Sequence, residues 1–380
     1  AVTAVGLGDV CERIILRIGL GLGTGSISLI SQESGTGSQK AQENADEVLS
    51  QAIFASFVIG IPFIIIGWLI PEKLISILGA APEVVKLGAQ YLLIMFSAAP
   101  FRIMTIISAR ALQGTGDTKT PMVVEVIGNL VNIGLSIVLA LGIGPFPNYG
   151  VIGVGIGTFS AKLLSAIIYI VLFMGPKTKF NLQLPSKDWN YTIITQLFKV
   201  SMPKIMQGMY QSLITFPFNS LVLMFGTEAA AAYHISRRIH QQLIAPLFRS
   251  YYTVTTILVG QKLGAGEVEE SKKTTRAMLW LGVLSIGSFG IILFFTAPFF
   301  IKIFTDNNES IRFGIKFLKA LSIGAPLLTI YGIFAGMLNG ASNTKSSFYG
   351  NVFSQTIFKL GLSYLLSQML GIGLLGVLIG

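Results

Sequence analysis

Apolar stretches long enough to cross a lipid bilayer recur along almost the whole chain, and this limits its folding options more than any other feature. Ten can be read, over residues 10–31, 48–70, 87–112, 121–143, 150–174, 200–226, 230–260, 274–300, 313–339 and 347–370, with a shorter apolar piece over 371–380. A soluble chain would need a charged surface, yet only 12% of the residues are Asp, Glu, Lys or Arg, about half the usual share. Lipid is the solvent that suits such a surface. Backbone groups in hydrocarbon must be satisfied internally, so the stretches read as helices and the chain as an all-α polytopic membrane protein. Proline and glycine inside them do not oppose this, because neighbouring helices satisfy freed backbone groups and small residues allow close approach.

The same composition excludes several functions. The net charge of +10 comes from bases scattered through short loops, so no nucleic-acid partner is expected. Cys11 is the single cysteine, and His234 and His240 are the two histidines, which leaves no disulfide framework and no thiolate or imidazole metal centre. GLGTGS and GVGIGT resemble nucleotide loops only in glycine spacing; no strand precedes them and no Lys-Ser/Thr follows. The loop acids form no DxxD-type pair that would hold a metal for transferase chemistry, so the chain reads as a non-enzyme without a cofactor. Loops on one side carry eleven bases, among them Lys177, Lys179 and Lys187, against six on the other. That places the longest polar stretch, GPKTKFNLQLPSKDWN, on the cytoplasmic side of the cell (plasma or inner) membrane. Trp189 and Tyr191 suit the headgroup region, with Tyr191 to Lys199 as an interfacial lead-in.

An internal repeat organises the spans. ALQGTGDTKT (111–120) returns as MLNGASNTKS (337–346), 226 residues on, with Pro100 falling on Pro326, Gly88 on Gly314 and Glu83 on Glu309. SQESGTG (31–37) returns as GQKLGAG (260–266) at 229, and GVGIG (153–157) as GVLIG (376–380) at 223. Six spans separate equivalent positions, and an even number implies a parallel repeat about an axis along the membrane normal. The expected domains are an N-lobe over 1–175, a cytoplasmic linker and lead-in over 176–199, and a C-lobe over 200–380. The repeat also predicts one more helix before Ala1 and the remainder of a helix after Gly380, giving two six-helix bundles.

Polar residues inside the spans are the candidate site. Glu125, Asn129, Asn132 and Ser136 follow spacings of four, three and four, so they share one helical face. Lipid cannot satisfy such a stripe, which serves either helix–helix hydrogen bonds or a cavity wall; the cavity wall is preferred here. The second-half counterparts are Asn351, Gln355, Phe358 and Leu362, so the deep Asn132–Ser136 patch belongs to the first half alone. Gln207 and Gln211 share a face in the sixth span, for packing or for lining the C-lobe. Lys162, Arg102, Arg249 and Lys359 fall near span centres, where a base pairs, snorkels or faces a cavity. Lys162 is one helix on from the stripe and suits a carboxylate partner. Glu12 adjoins Arg13, which suggests a local pair or snorkelling.

ISQESGTG, RALQGTGDTKTPM, NLVNIGLSIVLALG and YGVIGVGIGT, in this order, resemble the multidrug and toxic compound extrusion (MATE) family, and the similarity runs essentially end to end. The resemblance implies a twelve-helix secondary active exporter, an antiporter with two lobes around a central cavity, working by alternating access. It implies exchange of H⁺ or Na⁺ for small amphiphilic, often cationic compounds, by a monomer; a flippase for a lipid-linked oligosaccharide is the related alternative. Asn132 matches an Asn of the family's N-lobe cation site, so Na⁺ would lie near it. Ser136 stands where an Asp would follow, Thr158 matches a polar cavity position, and Thr329 stands near an acid that some members use. So many intramembrane bases sit awkwardly with a cationic substrate.

Overall fold

A computed structural model describes residues 2–77, 79–176, 178–183, 190–370 and 373–379; the expectations for Lys177, Lys187 and Trp189 lie outside these residues. Among the described residues the chain is helical, with no strand. In order, the elements are α1 (Val2–Thr36), α2 (Gln39–Leu69), α3 (Pro71–Ile77), α4 (Pro82–Ser97), α5 (Ala99–Gly114), α6 (Lys119–Leu141) and α7 (Val151–Met174). They continue with α8 (Tyr191–Leu223), α9 (Thr227–Leu243), α10 (Ala245–Gly264), α11 (Val268–Lys302), α12 (Asn308–Gly340), α13 (Thr344–Phe353) and α14 (Leu374–Ile379). Two wide-turn π-helical segments, Ser354–Leu362 and Leu365–Met369, follow α13.

Every one of the ten apolar stretches is helical, but not every one is a single span. Residues 87–112 break at Ala98 into α4 and α5, which meet at a 45° bend. Residues 230–260 break at Ile244 into α9 and α10. In both, a proline in the first turn of the second helix (Pro100, Pro246) cannot donate to a preceding carbonyl, so the chain restarts there. Residues 347–370 run through α13 into the π-helical segments. Among the described residues, six helices are long and apolar enough to cross a membrane, or seven with the bent pair. The expected lead-in from Tyr191 to Lys199 is not a separate element but the opening of α8.

The contacts divide the chain into two compact units, Ala1–Ile205 and Met206–Gly380, with the division falling inside α8. In the first, α1, α2 and α5 enclose Ile15, Leu22, Leu49, Ile103 and Ile107, all withdrawn from the surface. In the second, α9, α11 and α12 enclose Ile239, Ile286, Ile301, Leu318 and Ala325.

Equivalent positions of the repeat are built alike. Asp117 Oδ1 accepts from the Thr120 amide at 3.0 Å and starts α6, while Asn343 Oδ1 accepts from the Ser346 amide at 3.3 Å and starts α13. The residue before each has positive φ, Gly116 at 93° and Ser342 at 57°. A tight turn needs that left-handed conformation, and a serine adopts it here at some steric cost. Packing repeats as well. A Cβ on Gly88 would meet Ile75 Cγ2 at 3.1 Å, and a Cβ on Gly314 would meet Ile301 Cγ2 at 3.0 Å, both pairs 226 residues apart.

Candidate polar site of the sixth and seventh helices

Helix α6 presents three faces. Met122, Val126, Ile127, Leu130, Ile133, Ile137 and Leu141 are exposed and apolar, as a lipid-facing surface requires. Pro121, Val124, Gly128 and Leu139 are buried. Between these runs the stripe of Glu125, Asn129, Asn132 and Ser136.

Helix α7 meets α6 across glycines. A Cβ on Gly153 would lie 2.6 Å from the Leu139 carbonyl carbon, and one on Gly157 would lie 2.8 Å from the Ser136 amide nitrogen. A Cβ on Gly128, from the other side, would lie 2.5 Å from Ser165 Oγ. GVGIGT is thus a packing motif, in which missing side chains bring two backbones together. This approach makes the polar contacts possible.

Asn132 Oδ1 accepts hydrogen bonds from Ser136 Oγ at 2.9 Å and from Thr158 Oγ1 at 3.3 Å. Thr158 Oγ1 also lies 3.0 Å from the Val154 carbonyl, which its hydroxyl can reach as an alternative acceptor. One turn beyond Thr158, Lys162 Nζ is 3.7 Å from Glu125 Oε2. The carboxylate partner of Lys162 is therefore on the stripe itself. Glu125 is the more exposed partner, at 43% against 22%, so water screens the pair from one side. Asn129 is exposed on the same face.

The stripe, Thr158 and Lys162 are thus brought together, and Tyr169 is a member that sequence reasoning missed. It lies on α7 seven residues after Lys162, fully buried, within reach of the Glu125 charge. Its hydroxyl has no hydrogen-bond partner among the described residues. The spacing of seven from Lys162 was a usable signal, but a lone tyrosine in an apolar helix reads as packing.

In the second unit, Gln211 Nε2 donates to Asn351 Oδ1 at 3.3 Å, and Asn351 Nδ2 donates to the Tyr331 hydroxyl at 2.9 Å. Gln207 bonds the same hydroxyl. Three expected residues of the C-lobe patch are gathered around Tyr331, which the sequence did not single out. Gln355 is outside that chain, and its side-chain oxygen is buried without a partner among the described residues. Thr329 is buried and donates to the Ala325 carbonyl of its own helix at 2.8 Å.

Glu12 corrects an expectation. It is buried and ion-paired with Arg102 of α5, not with its neighbour Arg13, which is exposed. Consecutive residues on a helix do not face each other. No group of three or more His, Cys, Asp or Glu side chains among the described residues could hold a metal.

The fold is that of a multi-pass helical membrane protein. The MatE family model matches residues 1–138 and 203–365, and the chain belongs to that family. It is 26% identical over 385 residues to the probable multidrug resistance protein NorM of Thermotoga maritima, covering 100% of this chain and 81% of that one. It is 23% identical to the probable multidrug resistance protein YoeA of Bacillus subtilis, with 97% and 79% covered. A solved multidrug resistance MATE family transporter in an outward-facing conformation superposes with a TM-score of 0.91 at 22% identity, covering 100% of this chain and 83% of that one.

Proposed function

We propose that the protein is a secondary active exporter of small amphiphilic compounds in the cell membrane, driven by inward movement of H⁺ or Na⁺. The observation that carries this reading is the shared acceptor Asn132 Oδ1, held between two hydroxyls inside paired membrane helices. Three oxygens from Asn132, Ser136 and Thr158 suit a hard cation such as Na⁺, which takes oxygen ligands. The Glu125 carboxylate, paired with Lys162, stands on the same face and makes the charge balance of the α6–α7 pair sensitive to a cation bound there. An ion with different affinity for two states shifts their populations. A site exposed alternately to each side of the membrane then couples ion entry to substrate exit.

The parallel two-lobe organisation, the cytoplasmic side for residues 176–199 and the monomeric state belong to the same proposal. The multidrug resistance names of the relatives support an exporter over a flippase for lipid-linked oligosaccharide. Cells expressing the full-length protein should accumulate less ethidium than control cells. Dissipating the H⁺ and Na⁺ gradients at constant ATP should abolish the difference. Efflux that persists without either gradient would overturn the proposal.

A further inference from the structure

The glycine run of α1, from Gly19 through GLGTGS, takes no part in the α6–α7 site. Its glycines alternate between two neighbours. A Cβ on Gly19 would meet Ile106 Cδ1 at 2.8 Å, and one on Gly23 would meet Arg110 Cγ at 2.9 Å, both on side chains of α5. Gly21 and Gly25 are also four residues apart, so they share a face, and that face turns to α8. A Cβ on Gly21 would lie 2.9 Å from the Ile205 amide nitrogen. One on Gly25 would lie 3.1 Å from the Leu197 carbonyl oxygen and press on Ser201 Oγ. Two backbones therefore meet along this seam. Leu197, Ser201 and Ile205 are buried in it, the serine completely.

Small residues alone would make this ordinary packing, but Ser201 does not fit that account. Its hydroxyl has no hydrogen-bond partner among the described residues. The other serines and threonines past the first turn of α8 all donate to the carbonyl four residues back. Thr195 reaches Tyr191 at 2.8 Å, Ser212 reaches Gly208 at 3.2 Å, Thr215 reaches Gln211 at 2.8 Å and Ser220 reaches Phe216 at 3.2 Å. For Ser201 that acceptor is the Leu197 carbonyl, in the turn that lies against Gly25. The hydroxyl is directed at Gly25 instead and finds no acceptor there. A buried hydroxyl without an acceptor opposes the contact that buries it. Once the helices part, water or the Leu197 carbonyl can accept from it. Pro203, two residues on, donates no backbone hydrogen bond, and a helix bends most easily at such a point.

We propose that the α1–α8 contact is a reversible seam that opens and recloses in the transport cycle, with Ser201 holding its closed and open forms near balance. Closing buries Leu197 and Ile205 and leaves one hydroxyl without a partner; opening exposes the apolar pair and returns the hydrogen bond. Glycine offers no side chain for Ser201 or Ile205 to interlock with, so nothing has to rotate before the helices separate. The place of the seam in transport rests on the exporter reading, whereas its opening does not.

The test reads that opening at the seam. Full-length protein freed of its native cysteines, Cys11 among them, carries Leu197→Cys as a buried reporter and is treated in nanodiscs with a water-soluble maleimide. The modification rate follows the open fraction when reclosing is fast. The folded protein should be modified, well below the rate in SDS. Ser201→Ala removes the unpartnered hydroxyl and should slow modification about fivefold. Gly25→Ala holds the helices apart and should speed it about tenfold. Gradient-driven ethidium efflux should fall with the modification rate in Ser201→Ala. If a melting curve shows that Gly25→Ala fails to fold, Ser201→Ala still decides. Modification only in SDS, or a rate unchanged by Ser201→Ala, would overturn the inference and leave the exporter reading standing. Modification rates that shift as expected in a protein exporting nothing under either gradient would support the seam and sink the exporter reading.

Discussion

Asn132 carries the chemistry of the α6–α7 pair without a charge of its own. Its Oδ1 accepts from Ser136 and Thr158, and leucine at this position would remove the acceptor and leave two hydroxyls to their own helix carbonyls. Asn132→Leu should therefore abolish gradient-driven efflux while shifting the melting temperature by only a few degrees, about 1 kcal/mol for one net hydrogen bond. Glu12 and Arg102 behave differently, because both are charged and Glu12 is buried. Glu12→Gln or Arg102→Met alone should cost about 3 kcal/mol, by leaving a charge without its partner; the double variant should recover most of that loss, as a double-mutant cycle of unfolding would measure. At this scale the sequence was partly legible. The stripe was visible because spacings of four, three and four select one helical face. The Glu12 partner was not visible, since Arg102 is 90 residues away and only tertiary packing brings it close.

At the scale of elements, the α6–α7 hairpin depends on missing side chains. Gly153→Leu would drive a side chain into the Leu139–Ala140 backbone and should destabilise the first unit by about 1–3 kcal/mol. Gly134→Ala on the same α6 meets nothing within 4 Å. It should be neutral or stabilising by up to about 1 kcal/mol, as thermal unfolding of the two variants would show. The segment read as a polar linker is partly an anchored strap. Phe180 is buried against Phe173, with ring centroids 5.7 Å apart. Gln42 Nε2 donates to the Lys179 carbonyl at 2.8 Å, and the Gln183 amide donates to Ser50 Oγ at 2.9 Å. At its far end the Asn190 amide donates to Glu47, and Gln51 Nε2 donates to the Asn190 carbonyl at 3.1 Å. Phe180→Ala should cost about 3–5 kcal/mol in the same unfolding assay, far more than a surface linker would. Composition could not reveal this strap, because one phenylalanine among polar residues has no periodicity. The π-helical turn after α13 was equally hidden: its apolar pattern also fits an ordinary α-helix.

For the whole molecule, the repeat was the most legible feature, and its motifs reappear as structure. Asp117 and Asn343 start equivalent helices, and the Gly88–Ile75 and Gly314–Ile301 contacts coincide at an offset of 226. Where the halves diverge, their polar interiors diverge too. In the first unit Asn132 gathers two hydroxyls beside the Glu125–Lys162 pair, while in the second Gln211, Asn351 and Tyr331 form a neutral network and Lys359 stands over the Phe218 ring. We propose that the Asn132–Ser136–Thr158 oxygens and the Glu125–Lys162 pair couple ion entry to export. The most direct test is ethidium transport by full-length protein in proteoliposomes, with an H⁺ or Na⁺ gradient imposed separately. Ethidium should accumulate against its gradient under at least one ion gradient, and Asn132→Leu should lose this accumulation despite being folded. Transport by Asn132→Leu at the wild-type rate, still dependent on the same ion, would contradict it.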